Sequence, residues 1–453
     1  MVNGFLKKVS IVLLLSSFIQ VGAEDPFKKA NALYDQSEWV KAEKEYDSIF
    51  KDIPMPEELN KEIIEKVAAS HDMTSEELIR GHVNCGDVKM ALMFGDAKQH
   101  SKILEWARHS QYRIFGGQFG RKPLENEWNG SDLKGKTIVV YSERDKGAFG
   151  DTFFATPLLR WLKECGATVV FVPQKLLRKL YSTGIQKTYV DQVLVRGEEL
   201  PVHDFSTYLW SLFKGFYKEH GESSFPVERG WLSGRKELSP WIQKKLKPHV
   251  GKLLIGFWYR SSGPTSKGAD YRVLDRDPGA NRMVNTLRMP GVTLVCLEGL
   301  GHRPVKHDEF EDRKQKGTLG NLDLVDVTED DSSEVVTFDP TKFDRENGAF
   351  VDTISVMEYV RKKGGLLVGC DTGLLNMAAA VVGPDSDRSS VLVVLNEKAD
   401  MRWGTKKGKR RWLYSDNVEV FQGSEQGKWK EPLQQVREEV EARVKELAAA
   451  TIK

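Results

Sequence analysis

The sequence predicts an α/β protein: two parallel-sheet units in tandem, preceded by an all-helical region. Three observations carry this. Short β-branched runs alternate with amphipathic stretches in units of about 30 residues, the rhythm of right-handed βαβ crossovers. The alternation pauses near 235–250 and restarts at Leu253-Leu-Ile-Gly-Phe-Trp258. Before about residue 116 the apolar period is helical.

Composition agrees. The 453 residues correspond to about three domains at ~100–200 residues each. Lys+Arg 67 against Asp+Glu 65 excludes a nucleic-acid surface over the whole chain. Hydrophobic residues at 40% supply real cores, so wholesale disorder is excluded. After the first 25 residues no apolar run reaches the ~18 needed to span a bilayer. Cys85, Cys165, Cys296 and Cys370 are too scattered for a disulfide scaffold or a CxxC metal site.

Residues 1–23 read as a secretory signal. Lys7-Lys8 is the basic start, 9–21 is mostly apolar, and Val21-Gly22-Ala23 supplies small residues before Glu24. The expected location is the secretory pathway or an exported compartment: a periplasm, or an ER or Golgi lumen. Asn129-Gly130-Ser131 is a glycosylation sequon.

Residues 24–115 read as helical. Trp39, Ala42, Tyr46, Ile49 and Pro54 fall on one helix face, with proline closing the unit. A small alanine and a closing proline match the second half of a tetratricopeptide repeat, echoed at Gly86, Val88, Ala91 and Gly95. A plain amphipathic hairpin is the other reading. The glycines of 116–120 and the polar stretch after them make 116–133 a linker.

The first α/β unit occupies 134–240. Thr137-Ile-Val-Val-Tyr141 is a buried strand, Gly147 to Asp151 a turn, 157–164 a helix stopped near Gly166, and 168–172 a second strand. A helix over 174–181 and a strand over 192–195 follow. The second unit occupies 250–430. Its strands are 253–258, 292–297, 366–369 and 391–395, with helices near 279–288, 352–361 and 375–382. Residues 301–334 are charged and irregular. Pro432 opens the last helix, within 431–453. Two joined halves place a ligand cleft between them.

Two turns can carry chemistry. Gly147, Gly150, Asp151 and Thr152 sit where a strand passes into a helix, and glycines there let a ligand approach the backbone. Asp151 reads either as a helix cap or as a general base. Asp371-Thr372-Gly373, with Asn376 after it, ends a strand and starts a helix. Its amides and the Thr372 hydroxyl can hold a phosphate; Asp371 as a cap is the other reading. An aspartic protease would set DTG in an all-β lobe, which these flanks exclude. Asp275-Arg-Asp277 and Asp385-Ser-Asp387 have metal-binding spacing but are common in a chain with 29% charged residues. The basic run 406–411 is a solvated loop or a contact for an anion. No histidine pair has zinc spacing, and His82 and His100 read as surface residues.

Taken in order, Gly150-Asp-Thr152 with Thr156-Pro-Leu-Leu-Arg160, Leu254-Ile-Gly-Phe-Trp258, Phe350-Val-Asp-Thr353, Asp371-Thr-Gly373 and the tail Arg402-Trp403…Trp412-Leu-Tyr414 resemble the heptosyltransferase-like family of GT-B glycosyltransferases, in its variant preceded by tetratricopeptide repeats. The resemblance covers roughly 135–445. It implies a GT-B-like pair of Rossmann-like domains, the first on the acceptor side and the second binding a nucleotide-sugar. It implies inverting transfer to an acceptor hydroxyl, with no metal and no cofactor beyond the nucleotide-diphosphate sugar co-substrate. By position, Asp151 becomes the base, with Gly147, Gly150 and Thr152 as the acceptor or phosphate loop. Asp371, Thr372, Gly373 and Asn376 become donor-binding residues, Asn376 standing where many members have histidine. Lys267 or Arg272 would neutralise the leaving diphosphate. The acceptor is a glycan, lipid or protein, a protein partner is expected on the helical region, and nucleic acid is not. A secreted carbohydrate- or protein-binding protein without activity is the alternative function, and another nucleotide-using α/β enzyme a third.

Overall fold

A computed structural model describes residues 26–35, 39–51, 53, 61–70, 78–82, 84–85, 89, 124–144, 147, 149–220, 230–259, 278–297, 335–339, 341–381, 389–395, 404–406, 409–411, 418–424 and 428–451. The signal segment, Pro54, the repeat echo at 86–95, Lys267, Arg272, both DxD triplets, 301–334 and the aromatic tail motif at 402–414 lie outside them, apart from short hairpin strands.

The amino-terminal region is helical: α1 (Pro26–Asp35), α2 (Trp39–Phe50) and α3 (Lys61–Ser70). Ala30 and Ala42 are fully buried, and their small side chains let α1 and α2 approach closely. Tyr46 Oη donates to Asn31 Oδ1 across the pair at 2.6 Å. His82 is buried, not a surface residue: its ring stacks on Phe50 at 4.0 Å, where a flat imidazole packs like an aromatic.

The first sheet holds β1 (Thr137–Tyr141), β2 (Thr168–Val172), β3 (Gln192–Val193) and β4 (Phe205–Tyr208), all parallel, in the order β3-β2-β1-β4. Two helices, α4 (Phe149–Ala155) and α5 (Pro157–Glu164), connect β1 to β2. Then come α6 (Arg178–Tyr181), α7 (Leu212–His220) and α8 (Pro240–Leu246). β3 is shorter than its apolar run suggests, and β4 carries two buried hydroxyl residues, Ser206 and Thr207, that hide it from a hydrophobicity reading.

The second sheet is built from β5 (Leu253–Phe257), β6 (Val292–Cys296), β7 (Val335–Val336), β8 (Leu366–Cys370) and β9 (Val391–Leu395). The basic run folds as an antiparallel hairpin of β10 (Gly404–Lys406) and β11 (Lys409–Arg411), and β12 (Val418–Gln422) joins the edge. The order is β12-β9-β8-β5-β6-β7, again all parallel. Its helices are α9 (Ala280–Leu287), α10 (Val351–Lys362), α11 (Gly373–Val381) and α12 (Lys430–Thr451). Strand alternation splits the core: Leu367 faces the cluster with α10 and α11, Leu366 and Val368 the cluster with α9 and α12, while Cys370, at the strand end, joins the first cluster. The first cluster continues unbroken into the first unit, through Phe153, Phe154 and Trp231.

Candidate functional site

In each sheet the strand order reverses once, between β1 and β4 and between β5 and β8. Open parallel sheets bind ligands at the carboxyl ends of the strands at that reversal. The turn after β1 and the turn after β8 are the two glycine turns singled out above. The fold brings them together: a Cβ added to Gly373 would lie 3.3 Å from the Gly150 nitrogen and 3.6 Å from its Cα. Glycine at 373 therefore lets the start of α11 rest on the backbone of α4.

The first turn is fastened from within the sheet. Gln174, buried just past β2, donates from Nε2 to the Gly147 carbonyl at 3.1 Å and accepts from the Thr152 hydroxyl at 2.9 Å. Thr152 is only 2% exposed, so its hydroxyl ties the turn and does not face a ligand. Gly147 has φ +68, a conformation in which other residues are strained. Asp151 is the third residue of α4, in its first turn. The cap reading thus changes: the carboxylate favours the positive end of the helix but lies inside it. The Asp151 carbonyl accepts from Trp210 Nε1 at 3.1 Å, and the Trp210 amide donates to Glu143 Oε1 at 2.8 Å. Glu143, Trp210 and Asp151 thereby gather at the β1/β4 reversal.

The second turn is fastened by an indole. Trp258, fully buried, donates from Nε1 to the Cys370 carbonyl at 2.8 Å, and its ring covers Gly369 so closely that an added Cβ would sit 2.1 Å from it. The helix cap is Thr372, not Asp371: its hydroxyl accepts from the Leu374 amide at 3.1 Å, leaving its own proton to donate. Asp371 is 6% exposed at the strand end. Asn376 is buried; its Nδ2 donates to the Thr372 carbonyl at 3.4 Å, and its Oδ1 has no partner among the described residues.

The seam beside these turns is aromatic. Phe149 and Phe153 meet Phe350 edge-on, with ring centroids 5.2 and 5.5 Å away. Phe350 has φ +66, a strain on the order of 1–3 kcal/mol for such a residue. The loop leading to it locks onto α10: the Asp352 and Thr353 amides donate to Asp344 Oδ1 at 2.8 and 3.1 Å, and the Asp344 amide donates back to Asp352 Oδ2 at 3.0 Å. Burial pushes the Asp344 carboxyl up to about 7, against hydrogen bonds from Thr353 and with the charge of Asp352 beside it. Asp352 and Thr353, the end of the Phe350-Val-Asp-Thr353 motif, are thus buried inside this lock. Lys179 Nζ donates to the Glu346 carbonyl at 3.2 Å and Arg235 Nη1 to Asn347 Oδ1 at 2.7 Å, fastening the loop to the first unit and to the connection. Gln174 and Trp210 carry the geometry yet belong to no motif; a polar or aromatic residue just past a strand was their only signal.

The chain is thus a pair of parallel-stranded α/β units whose strand-reversal turns face each other. No protein-family model and no curated protein matches it. Among solved structures it is similar to a glycosyl transferase family 9 protein from Veillonella parvula, at 13% identity and TM-score 0.39, over 70% of this chain and 99% of that one. It is also similar to the dodecameric iron-containing heptosyltransferase TibC, at 10% identity and TM-score 0.37, over 71% of this chain and 78% of that one. Escherichia coli heptosyltransferase WaaC follows, at 11% identity and TM-score 0.31, over 69% and 99%.

Proposed function

We propose that this chain is a glycosyltransferase that moves a sugar from a nucleotide-diphosphate sugar to an acceptor hydroxyl, with inversion and without a metal. The observation that supports it is the meeting of the two reversal turns at Gly150 and Gly373. A donor held by one turn and an acceptor by the other would react between them. In this reading the Asp151 carboxylate takes the acceptor proton as its oxygen attacks the anomeric carbon. The diphosphate leaves toward the start of α11, where the helix dipole and the Thr372 O–H receive its charge. Asp371 and Gly373 shape that turn, and Asn376 offers its unpaired Oδ1 to a donor hydroxyl. Lys267 or Arg272 would supply a cation for the leaving group. The chain acts in the secretory pathway or after export, and its helical region serves as a repeat-like platform for a protein partner.

Titration of the purified protein with nucleoside diphosphates tests this first. Micromolar binding that disappears in Gly373→Val supports it. No diphosphate binding would favour a carbohydrate-binding protein on the same frame.

A further inference from the structure

The groove between α9 and α12 lies across the second sheet from the Asp371 turn. It is an open groove of about 720 Å³, and four of its lining residues are cationic: Arg282, Lys428, Lys430 and Arg437. No described residue that lines it is acidic. The sequence builds this locally. Trp429 and Leu433 bury into the second core, which holds the flanking Lys428 and Lys430 at the surface. Arg437 forms the wall, donating from Nη1 to the Asn285 and Thr286 carbonyls at 3.3 and 3.1 Å and from Nε to Glu441 at 3.0 Å. Glu431, in the first turn of α12, is engaged elsewhere: it accepts from the Ser424 amide and hydroxyl at 3.1 and 2.7 Å. Both helices start at the carboxyl edge of the sheet, so their positive ends add to the field there. Glu441 balances the charge of Arg437, so an anionic ligand would meet chiefly Arg282, Lys430 and the two helix termini.

We propose that this groove binds a short acidic oligosaccharide. Arg282 and Lys430 pair its carboxylate or sulfate groups, and Asn285 and the Oε1 of Gln434, whose Nε2 donates to Glu438 at 3.0 Å, hydrogen-bond its hydroxyls. The volume gives room for a few sugar units lying along the groove. None of the exposed large hydrophobic side chains among the described residues lines the groove, so it lacks the apolar anchors of a membrane-binding face. Trp429 lines the groove but is only 4% exposed, too little ring surface to stack a base, which disfavours single-stranded nucleic acid. Binding here is independent of the transferase reading.

The test is calorimetric titration of the full chain with a heparin-derived tetrasaccharide, with tetragalacturonate, and with neutral cellotetraose. The first distinguishes sulfate recognition, the second carboxylate recognition. At least one acidic tetrasaccharide binds, more weakly as salt rises, and cellotetraose does not. Arg282→Gln with Lys430→Gln weakens binding by at least about tenfold at an unchanged unfolding midpoint, and Arg282→Lys with Lys430→Arg retains it. A nucleoside diphosphate leaves the tetrasaccharide affinity unchanged. Absence of acidic tetrasaccharide binding at about 1 mM, competition by the diphosphate, or an undiminished double variant overturns the proposal. So does tighter binding of anionic vesicles or single-stranded DNA through the same residues.

Discussion

Replacing Gly373 by valine measures how much the meeting of the two turns contributes. The added Cβ would lie 3.3 Å from the Gly150 nitrogen, against a comfortable separation of about 3.5–4.0 Å. That atom belongs to the backbone, so it cannot rotate away. For alanine, α4 and α11 must part by a few tenths of an ångström. The cost is offset by the roughly 0.5–1 kcal/mol that alanine gains over glycine in a helix. The net change for Gly373→Ala is therefore within about 1 kcal/mol. Valine adds two γ-carbons at this already tight contact, and overpacking of this kind costs about 1–3 kcal/mol. The displaced α4 also carries Phe149 and Phe153 away from the strained Phe350. Urea unfolding is the assay: the midpoint falls for valine and barely moves for alanine, at constant slope. Nucleoside diphosphate affinity drops in step for valine. A valine variant within about 0.5 kcal/mol of wild type would refute the contact, because the backbone fixes the Cβ position whatever the rotamer.

Other perturbations separate chemistry from architecture. Asp151→Asn removes a carboxylate from the first turn of α4, costing about 0.3–1 kcal/mol in stability, yet lowers turnover by about 10²–10⁴-fold at unchanged donor affinity; turnover within a few-fold of wild type places the base elsewhere. Gln174→Leu strands the Gly147 carbonyl and the buried Thr152 hydroxyl and destabilises by about 1–3 kcal/mol in denaturant titration, so an unaltered midpoint would show that the turn is held by other means. Asp344 has a folded pKa of about 7 against an ordinary 3.8. With the folded value raised, its contribution is fully present below about pH 4 and is lost as pH rises through 7, a change of a few kcal/mol. Asp344→Asn cannot ionise, so its stability gains on wild type between pH 4 and 7.5; parallel stability curves would refute the buried-carboxyl assignment.

Much of this fold is legible from residues alone. Thr137–Tyr141, Thr168–Val172 and Val391–Leu395 are continuous apolar or β-branched runs, and such runs become parallel strands because both faces must be buried. Pro157 marks a helix start, as a residue without an amide donor should. The glycine turns stand out for the same local reason. Asp371-Thr-Gly373 is recognisable as a strand-to-helix turn, although only the folded chain shows that Thr372 makes the cap. β4 and β7 escape because a short or hydroxyl-bearing segment becomes a strand only when neighbours supply its hydrogen bonds. Tertiary structure alone decided that Gly150 and Gly373 touch, that Gln174 ties the first turn, and that Asp352 and Thr353 are consumed in a lock with Asp344. Local patterns record the burial and backbone preferences of neighbours in sequence. A contact between distant turns depends on how two sheets pack, and that packing is set by the summed complementarity of many side chains such as Phe149, Phe153 and Phe350.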